Sequence, residues 1–283
     1  MVRAVTTVPL SIGDPARPGM TPPIAHEPEQ RTFVVESLLL AVTRVTTKCC
    51  DRQLTNATGF FFERDGRLFV VTNRHVVLDE ASEHRPDRIE VELHVDEANV
   101  GVTAQFTAPL YRDGKPLWRQ GVDSAGMVDV VALELDRAAM TDPVLIRAFS
   151  PAHLVEELER IEVGTSVLVV GFPLGFHDTF HHLPVARQAA IASAFGIRFQ
   201  GNGYFLTDAR LHRGMSGAPV VARATSRRTG REALPYMLLG VHAARLDVTR
   251  DVEQDERLML NCAWYSDILM TLTEDVALAQ TTA

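Results

Sequence analysis

Cysteine is scarce in this sequence, since the 283 residues contain only Cys49, Cys50 and Cys262. Adjacent cysteines rarely bridge one another, and an odd number does not make a disulfide framework. A single bridge between Cys49 and Cys262 stays open as an alternative. Because disulfides are rare in reducing compartments, the low cysteine count predicts a cytoplasmic protein.

Long apolar runs are missing as well. No uncharged apolar stretch reaches the length of about 18 residues that a membrane-spanning helix needs. The N-terminal segment has no continuous apolar core of signal-peptide length, and Pro9 soon interrupts it. We therefore expect neither a membrane partner nor secretion.

An excess of positive charge is also absent, because 36 acidic residues outnumber 28 basic ones and give a formal net charge of -8. Proteins that bind nucleic acid usually present a basic surface, so a nucleic-acid partner is not expected. Arginines gather between residues 223 and 231, and acidic residues gather between 247 and 256. Both clusters are interpreted as solvated hairpin tips.

One short segment combines a serine with flanking glycines just ahead of a strand-like apolar run. Ser216 lies between Gly214 and Gly217, with Met215 directly before it. Glycine leaves room where a substrate backbone must approach, and it lets the N–H groups of Gly214 and Ser216 point at one place. Two such donors would stabilise an oxyanion, although Gly-x-Ser-Gly by itself also occurs in ordinary loops. The segment predicts Ser216 as nucleophile and Gly214 with Ser216 as the oxyanion hole.

A serine nucleophile needs a base, and the base needs an acid that orients it. His75 lies near the end of a β-rich run that begins at Phe69. Asp129 is flanked by valines, where a carboxylate is costly unless it is paired. Asp123 competes for the role of the acid but lies in a Gly- and Ser-containing loop. We therefore prefer His75, Asp129 and Ser216, an order of base, acid and nucleophile that also occurs in chymotrypsin.

Five short segments follow one another in the order expected of a known family. They are residues 58–62, 72–76, 129–133, 207–209 and 213–219. Together they resemble the signatures of trypsin-like serine peptidases, and especially those of the bacterial HtrA-type and glutamyl-endopeptidase-like branch. The resemblance extends over roughly residues 34 to 272.

The resemblance implies an all-β fold of two six-stranded antiparallel β-barrels with the active site between them, plus short helices and a C-terminal helix. Residues 31–145 would form the first barrel, with His75 and Asp129, and residues 146–283 the second, with Ser216 and the C-terminal helix. Residues 1–30 contain six prolines and predict a disordered or loosely docked tail.

Local patterns add four expectations. The Asp65-Gly66 pair predicts a hairpin turn between strands over residues 59–62 and 68–72. Helical spacing predicts helices over residues 151–160 and 264–278, the first with Ser150 as its cap and the second with Ser266 or the preceding turn as its cap. Alternation of polar and apolar residues over 88–95 predicts a half-buried strand that carries His94 on its exposed face.

The implied activity is that of a serine endopeptidase acting on protein or peptide substrates, with no cofactor and no metal. Three histidines share one loop, His177, His181 and His182, but their spacing fits no defined set of metal ligands. Two alternatives stay open. The chain could be a catalytically silent binding module on the same scaffold, or a peptidase that a regulatory partner switches on.

Met215 bears on activation. In zymogen-type trypsins an aspartate at this position pairs with a newly cut N-terminus, which a methionine cannot do. Residues 1–30 are therefore not expected to be an activating pro-segment of that kind.

The resemblance also places the specificity pocket, which would be lined by Arg210, Leu211 and His242. His242 lies in a Gly-Val-His segment similar to that of glutamyl endopeptidases, whose histidine contacts a Glu or Gln side chain. Arg210 could add positive charge if it points inward, whereas Leu211 suits an apolar side chain. Two classes of substrate side chain therefore stay open: acidic or amide side chains in one case, and apolar side chains in the other. Lys and Arg are disfavoured because the aspartate that selects them is absent.

Overall fold

Antiparallel strands dominate the part of the chain that the computed structural model describes, namely residues 35–140, 143–156, 161–224, 234–245 and 259–275. This arrangement confirms the predicted all-β class with two antiparallel sheets. The predicted tail over residues 1–30, the acidic cluster and most of the arginine cluster lie outside the described residues.

The first sheet is built from the N-terminal half of the chain. Its strands are β1 (Val42–Cys49), β2 (Arg52–Arg64), β3 (Arg67–Thr72), β4 (Arg88–His94), β5 (Thr103–Pro109), β8 (Trp118–Asp123) and β9 (Gly126–Leu135), with a separate ribbon of β6 (Tyr111–Arg112) and β7 (Lys115–Pro116). Their order across the sheet is β5-β4-β1-β2-β3-β9-β8. Over the described residues this sheet thus has seven strands, one more than the six expected.

The second sheet follows in sequence and, in the part of the chain that the structure describes, has the six strands expected. They are β10 (Ser166–Gly171), β11 (Val185–Ala190), β12 (Tyr204–Thr207), β13 (Pro219–Arg223), β14 (Tyr236–Arg245) and β15 (Asn261–Tyr265). Their order is β11-β10-β13-β14-β15-β12. The boundary at residue 145 between two barrels stays a prediction.

The helices are short. Among the described residues two are α-helical, α1 (Arg74–Val77) and α2 (Ile268–Leu272), and single 3-10 turns occur at Leu39–Ala41, Arg137–Ala139, Pro151–His153, Pro173–Gly175 and Phe199–Gly201.

The helix expected over residues 151–160 is wrong in its described part. A 3-10 turn ends at His153, and Leu154 then bridges to Leu238 of β14. Ser150 is the N-cap residue of this turn, and its backbone N–H donates to Nδ1 of His153 at 3.0 Å in a reciprocal capping box. Residues 157–160 lie outside the described part of the chain.

The terminal helix begins later than expected and, as far as residue 275, covers only α2, while residues 276–278 lie outside the described part of the chain. Trp264 pairs with Val241 on one side and with Tyr204 on the other, so it lies inside the sheet. Strand pairing therefore overrides the helical spacing here. The predicted cap Ser266 instead donates its hydroxyl to the Leu238 carbonyl at 2.7 Å.

His94 also departs from its expected place. It is only 7% exposed, and its Nδ1 lies 2.8 Å from the carbonyl oxygen of Val100. The loop after β4 folds back over this residue, which covers the face that the alternating pattern assigned to solvent.

Buried apolar residues form three clusters, and strands of the first sheet contribute to two of them. Along β3, Leu68 and Val70 pack inside the first sheet, whereas Phe69 and Val71 pack in a middle cluster. That middle cluster also contains Val221 of the second sheet. Since alternate residues of a strand face opposite sides, the continuous run over 68–71 fills two cores at once.

Two further findings concern the expectations about membranes and disulfides. Within the described residues, no helix has the length and apolar character needed to span a membrane. No disulfide joins Cys49 to Cys262 in this part of the chain.

Candidate active site

His75 and Asp129 meet because their strands are neighbours. β3 pairs with β9, with Thr72 opposite Val131, and α1 begins directly after β3. Asp129 therefore lies beside the first turn of α1. Its Oδ2 is 2.7 Å from Nδ1 of His75, and its Oδ1 accepts the backbone N–H of His75 at 2.9 Å. The carboxylate thus holds both the ring and the backbone of the histidine.

Asn73 holds the backbone of this pair, and no role was assigned to it from the sequence. It is fully buried, and its Nδ2 donates to the backbone carbonyl of Asp129 at 2.7 Å. This bond fixes the β9 backbone from which the Asp129 side chain projects. A buried asparagine two positions before a candidate base is a signal that could have been noticed.

The environment of His75 changes its pKa in two opposing ways. Burial lowers the pKa, but the hydrogen bond and the negative charge of Asp129 outweigh burial, with a smaller contribution from Asp79. The pKa of His75 is consequently raised above its ordinary value. Asp129 thus stabilises the protonated imidazole, as expected of an acid that orients a base.

Asp123 is engaged elsewhere. Its Oδ2 forms an ion pair with the guanidinium of Arg198 at 2.5 Å, and its Oδ1 accepts the N–H of Ala125 at 2.7 Å. Of the two candidate acids, the structure places Asp129 against His75.

The glycines around Ser216 are needed by the fold itself. Gly214 has a φ of +91° and Gly217 a φ of +85°, a region that L-residues rarely adopt. A Cβ on Gly214 would lie 2.4 Å from the carbonyl oxygen of Phe172, and one on Gly217 would lie 2.2 Å from that of Thr58. The sequence predicted that these glycines leave room for a substrate backbone. In the structure, the space is occupied by the chain's own backbone.

Thr58 of β2 joins the loop of residues 213–218, called the serine loop below, to the first sheet. No role was assigned to Thr58 from the sequence. Its N–H donates to the Ser216 carbonyl at 3.0 Å, and its hydroxyl donates to the Gly214 carbonyl at 2.7 Å. The same hydroxyl accepts the Phe172 N–H at 3.1 Å, and Thr72 donates to the Thr58 carbonyl at 2.8 Å. Thr72 lies three residues before His75, so this network ties the serine loop to the strand that leads to the histidine.

The backbone N–H groups of the loop divide into two kinds. Those of Met215 and Gly217 donate to the carbonyls of His212 and His242, at 3.2 and 3.0 Å. Those of Gly214 and Ser216 donate to no acceptor within the described residues. The two N–H groups that were predicted to form the oxyanion hole are therefore available to a ligand oxygen.

A neighbouring turn holds the peptide that carries the Gly214 N–H. Leu174, at a φ of +53°, donates its own N–H to the Arg213 carbonyl at 2.6 Å. Fixing this carbonyl fixes the orientation of the peptide unit, and hence the direction of the N–H on its other side.

The Ser216 hydroxyl makes no hydrogen bond to any described residue, including His75. Hydrogen bonds between catalytic groups are often long in the absence of substrate. The structure thus brings His75 and Asp129 into direct contact and connects Ser216 to them through Thr58 and Thr72.

The three predicted pocket residues have different surroundings. His242 in β14 is 3% exposed and adjoins the serine loop, because its N–H donates to the Ala218 carbonyl at 2.8 Å. Leu211 is buried in the core of the second sheet, together with Met215. Arg210 is exposed, and its Nε lies 3.3 Å from Sδ of Met259.

Burial, and to a smaller extent the positive charge of His75, lower the pKa of His242 to about 3. The imidazole is therefore neutral at ordinary pH. Its Nδ1 is buried and has no hydrogen-bond partner in the described part of the chain. Since buried polar atoms are usually paired, a substrate side chain that displaces the atoms covering this nitrogen would meet an unused hydrogen-bonding group.

The histidine loop is held by separate contacts. His181 pairs with Asp178 at 2.6 Å, His182 Nδ1 lies 2.8 Å from Glu92 Oε1, and His177 contacts the Gly175 carbonyl at 2.6 Å. Among the described residues, these side chains do not converge as a set of metal ligands.

Comparison with known proteins identifies one family. The model of the trypsin-like peptidase domain matches residues 57–230. No curated protein sequence matches this chain. Among solved structures, a crystal structure of the serine endoprotease from Yersinia pestis is similar, with 16% sequence identity and a TM-score of 0.49, over 83% of this chain. This chain spans 62% of the length of that one.

Proposed function

Because this chain belongs to the family of trypsin-like peptidase domains, we propose that it is a serine endopeptidase that uses Ser216, His75 and Asp129. The observation that carries the proposal is the double hydrogen bond from His75 to the Asp129 carboxylate. A carboxylate can only accept, so Nδ1 of His75 carries a proton and Nε2 is left to accept one. This is the tautomer that a general base next to a serine needs.

The reaction follows from these roles. Ser216 Oγ attacks the scissile carbonyl carbon while Nε2 of His75 takes its proton, and Asp129 stabilises the resulting imidazolium. The same imidazolium gives its proton to the leaving amine, which leaves an acyl-enzyme on Ser216. Water, deprotonated by His75, then attacks the acyl group, and the serine regains its proton.

The N–H groups of Gly214 and Ser216 are proposed to bind the oxyanion in both tetrahedral intermediates. Their lack of acceptors among the described residues supports this role. Donors that are already oriented stabilise developing charge without reorganising during the reaction. Leu174 binds the Arg213 carbonyl and Ala218 binds the Met215 carbonyl, which fixes the two peptide units that carry these N–H groups. Thr58 holds the Gly214 carbonyl that lies between them.

The experiment that tests this function is labelling of the full chain with a fluorophosphonate probe, which reacts with an activated serine. We expect one label, located on Ser216 by mass spectrometry, and we expect none in Ser216→Ala. A labelled site other than Ser216 contradicts the assignment. A chain that takes no label and hydrolyses no peptide is a binding module instead.

For specificity we propose that His242 binds the side chain of the residue whose carbonyl is attacked. Its neutral ring and unpartnered Nδ1 support recognition of a hydrogen-bonding side chain, either the amide of Gln or the carboxyl group of Glu. Arg210 lies against Met259, which gives no support to a role in binding that side chain.

A peptide library tests this specificity. We expect cleavage after Gln or Glu, and we expect His242→Ala to lower the ratio of kcat/KM for Gln to that for Val. Comparing two substrates in one variant removes any general loss of activity. Cleavage after Val, Ala or Leu with a ratio indifferent to His242 favours the apolar pocket expected from Leu211.

A further inference from the structure

Two adjacent thiols and a carboxylate converge at one end of the first sheet, in a place that the proposed peptidase mechanism does not use. Cys49 is the last residue of β1, Cys50 begins the turn to β2, and Asp87 directly precedes β4. The two sulfur atoms and a carboxylate oxygen all lie within 4.8 Å of one another.

The turn explains how neighbouring side chains can converge. Successive residues of a strand point to opposite faces, which would separate the two thiols. Cys50 has a φ of +53°, a left-handed conformation that is uncommon for residues other than glycine. This conformation interrupts the alternation just where the second thiol follows the first.

Backbone hydrogen bonds hold the carboxylate in place beside the thiols. The Asp87 N–H donates to the Lys48 carbonyl at 2.8 Å, and the Cys50 N–H donates to Asp87 Oδ2 at 2.6 Å. The Arg88 guanidinium contacts the other carboxylate oxygen at 2.9 Å. The position of Asp87 is thus set by the same turn that presents the cysteines.

We propose that Cys49, Cys50 and Asp87 form a binding site for a thiophilic divalent cation of the Zn²⁺ type. Thiolate sulfur selects such ions over Mg²⁺ or Ca²⁺, and a carboxylate is an accepted third ligand. Zn–S bonds of about 2.3 Å place two sulfurs roughly 3.8 Å apart in a tetrahedron. The two sulfurs therefore need to close by at most about 1 Å, which an exposed residue in a turn can allow.

Charge is consistent with this assignment. Two thiolates and one carboxylate carry three negative charges, of which a divalent cation neutralises two, while Arg88 lies beside the third. Cys50 is exposed, so water has access to the fourth tetrahedral position. The prediction of no metal considered only the three histidines between residues 177 and 182, whereas the approach of Asp87 to Cys49 and Cys50 depends on the pairing of β1 with β4.

Binding exchanges protons for the metal and involves no change of oxidation state. Each thiol gives up its proton as its sulfur coordinates the ion. Affinity for the metal should consequently increase as the pH rises.

Cadmium titration of the reduced, chelator-treated full chain tests the site, because thiolate ligands give Cd²⁺ an ultraviolet charge-transfer band. We expect one equivalent to bind, the band to be lost in Cys50→Ser, and the affinity to fall at least about tenfold in Asp87→Asn. Asparagine keeps an oxygen that can accept the Cys50 N–H, so this variant preserves the turn.

Two matched variants serve as controls. Cys262→Ser removes the thiol in β15, and Asp51→Asn removes a carboxylate from the same turn, and both should bind Cd²⁺ as the unchanged chain does. Zn²⁺ should also raise the Tm of the unchanged chain and leave that of Cys50→Ser in place. The proposal is overturned if Cys50→Ser binds normally, if Asp87→Asn has unchanged affinity, or if Cys262→Ser loses the band.

Discussion

Thr58 is a fully buried polar residue whose hydroxyl satisfies two backbone groups at once. It donates to the Gly214 carbonyl and accepts the Phe172 N–H, so the serine loop and the turn before Leu174 share one side chain. A buried hydroxyl is tolerated when it is hydrogen-bonded, and removal of one partner leaves the others unsatisfied. Thr58 thus affects the candidate site by holding the serine loop in place.

Thr58→Val keeps the shape of the side chain and removes the hydroxyl. We expect kcat to fall at least about tenfold with KM little changed, because the Gly214 carbonyl and the Phe172 N–H are left unsatisfied and the loop that carries the oxyanion donors shifts. Thr58→Ser should restore most of kcat. The matched control is Thr46→Val, which removes a buried hydroxyl bonded to Asn56 and should leave kcat unchanged. An equal loss of kcat in both valine variants contradicts a positioning role.

Substitutions of Asp129 and Asp123 test which of the two residues is the acid. Asp129→Asn should lower kcat/KM by about 10⁴-fold, because the amide favours the wrong tautomer of His75. Asp123→Asn should retain most activity, since its partner is Arg198. Steady-state hydrolysis of one peptide by both variants decides the matter. The opposite pattern of losses would assign the acid to Asp123.

The pH profile follows from the raised pKa of His75. The base must be unprotonated to accept the serine proton, so kcat/KM falls as the pH drops through this pKa. Because Asp129 raises the pKa, the acid limb should lie above the ordinary value of 6.5. In Asp129→Asn the limb should move to lower pH in the residual activity. An acid limb well below pH 6.5 in the unchanged chain would contradict a raised pKa of His75.

The sequence could identify the residues with distinctive chemistry but not those that position them. His75, Asp129 and Ser216 stand in motifs, and a carboxylate between valines signals a paired group. Thr58 and Asn73 are ordinary residue types whose importance depends on partners far away in the chain. The Thr58–Gly214 bond, for example, joins residues 156 positions apart.

Turns in the two sheets show how one conformation can serve different purposes. Gly66, in the β2–β3 turn that Asp-Gly predicted, has a φ of +74° with open space where a Cβ would be. Gly217 has a similar φ of +85° but lies against Thr58 and Thr72. Backbone conformation is thus the constraint at Gly66, whereas conformation and close packing act together at Gly217.

Alanine at these two glycines separates the contributions. Gly66→Ala should lower the free energy of unfolding by about 1 kcal/mol, the cost of a left-handed alanine. Gly217→Ala should cost clearly more, because its Cβ would meet backbone that cannot move aside. Urea unfolding of both variants gives the comparison. Equal losses would mean that the serine loop can shift to accept a side chain.

Element types were predictable where local pattern and tertiary pairing agree. The hairpin of β2 and β3 combines a turn signal with apolar strands, and both were predicted. The spacing after Trp264 is helical, yet β14 and β12 both pair with this segment, and the pairing determines the outcome. No local signal in the sequence reports that two strand edges will be available there.

The middle cluster of buried residues spans both sheets and connects the two halves of the candidate site. Phe60 and Val71 of the first sheet pack in the same cluster as Val221 and Val241 of the second. Val71 precedes His75 by four residues, and Val221 follows Ser216 by five. Relative placement of base and nucleophile is therefore set by one shared core.

Activation can be tested on the whole molecule. Met215 is fully buried and packs in the core of the second sheet, so apolar contacts hold the position that an ion pair occupies in zymogen-type trypsins. A chain that starts at Gln30 should therefore hydrolyse peptides at the rate of the full chain. Probe labelling of both forms provides an independent measure. A large increase in activity on trimming would show that the N-terminal segment restrains the enzyme.

The serine loop lies late in the chain, whereas the Thr58 that holds it belongs to the second strand. During synthesis on the ribosome, the proton acceptor and its carboxylate emerge with the first sheet, long before the nucleophile. The loop can reach Thr58 only after much of the second sheet has also emerged. Under the proposed mechanism, a nascent chain is consequently unable to cut its neighbours or itself until the serine loop has emerged together with strands of the second sheet.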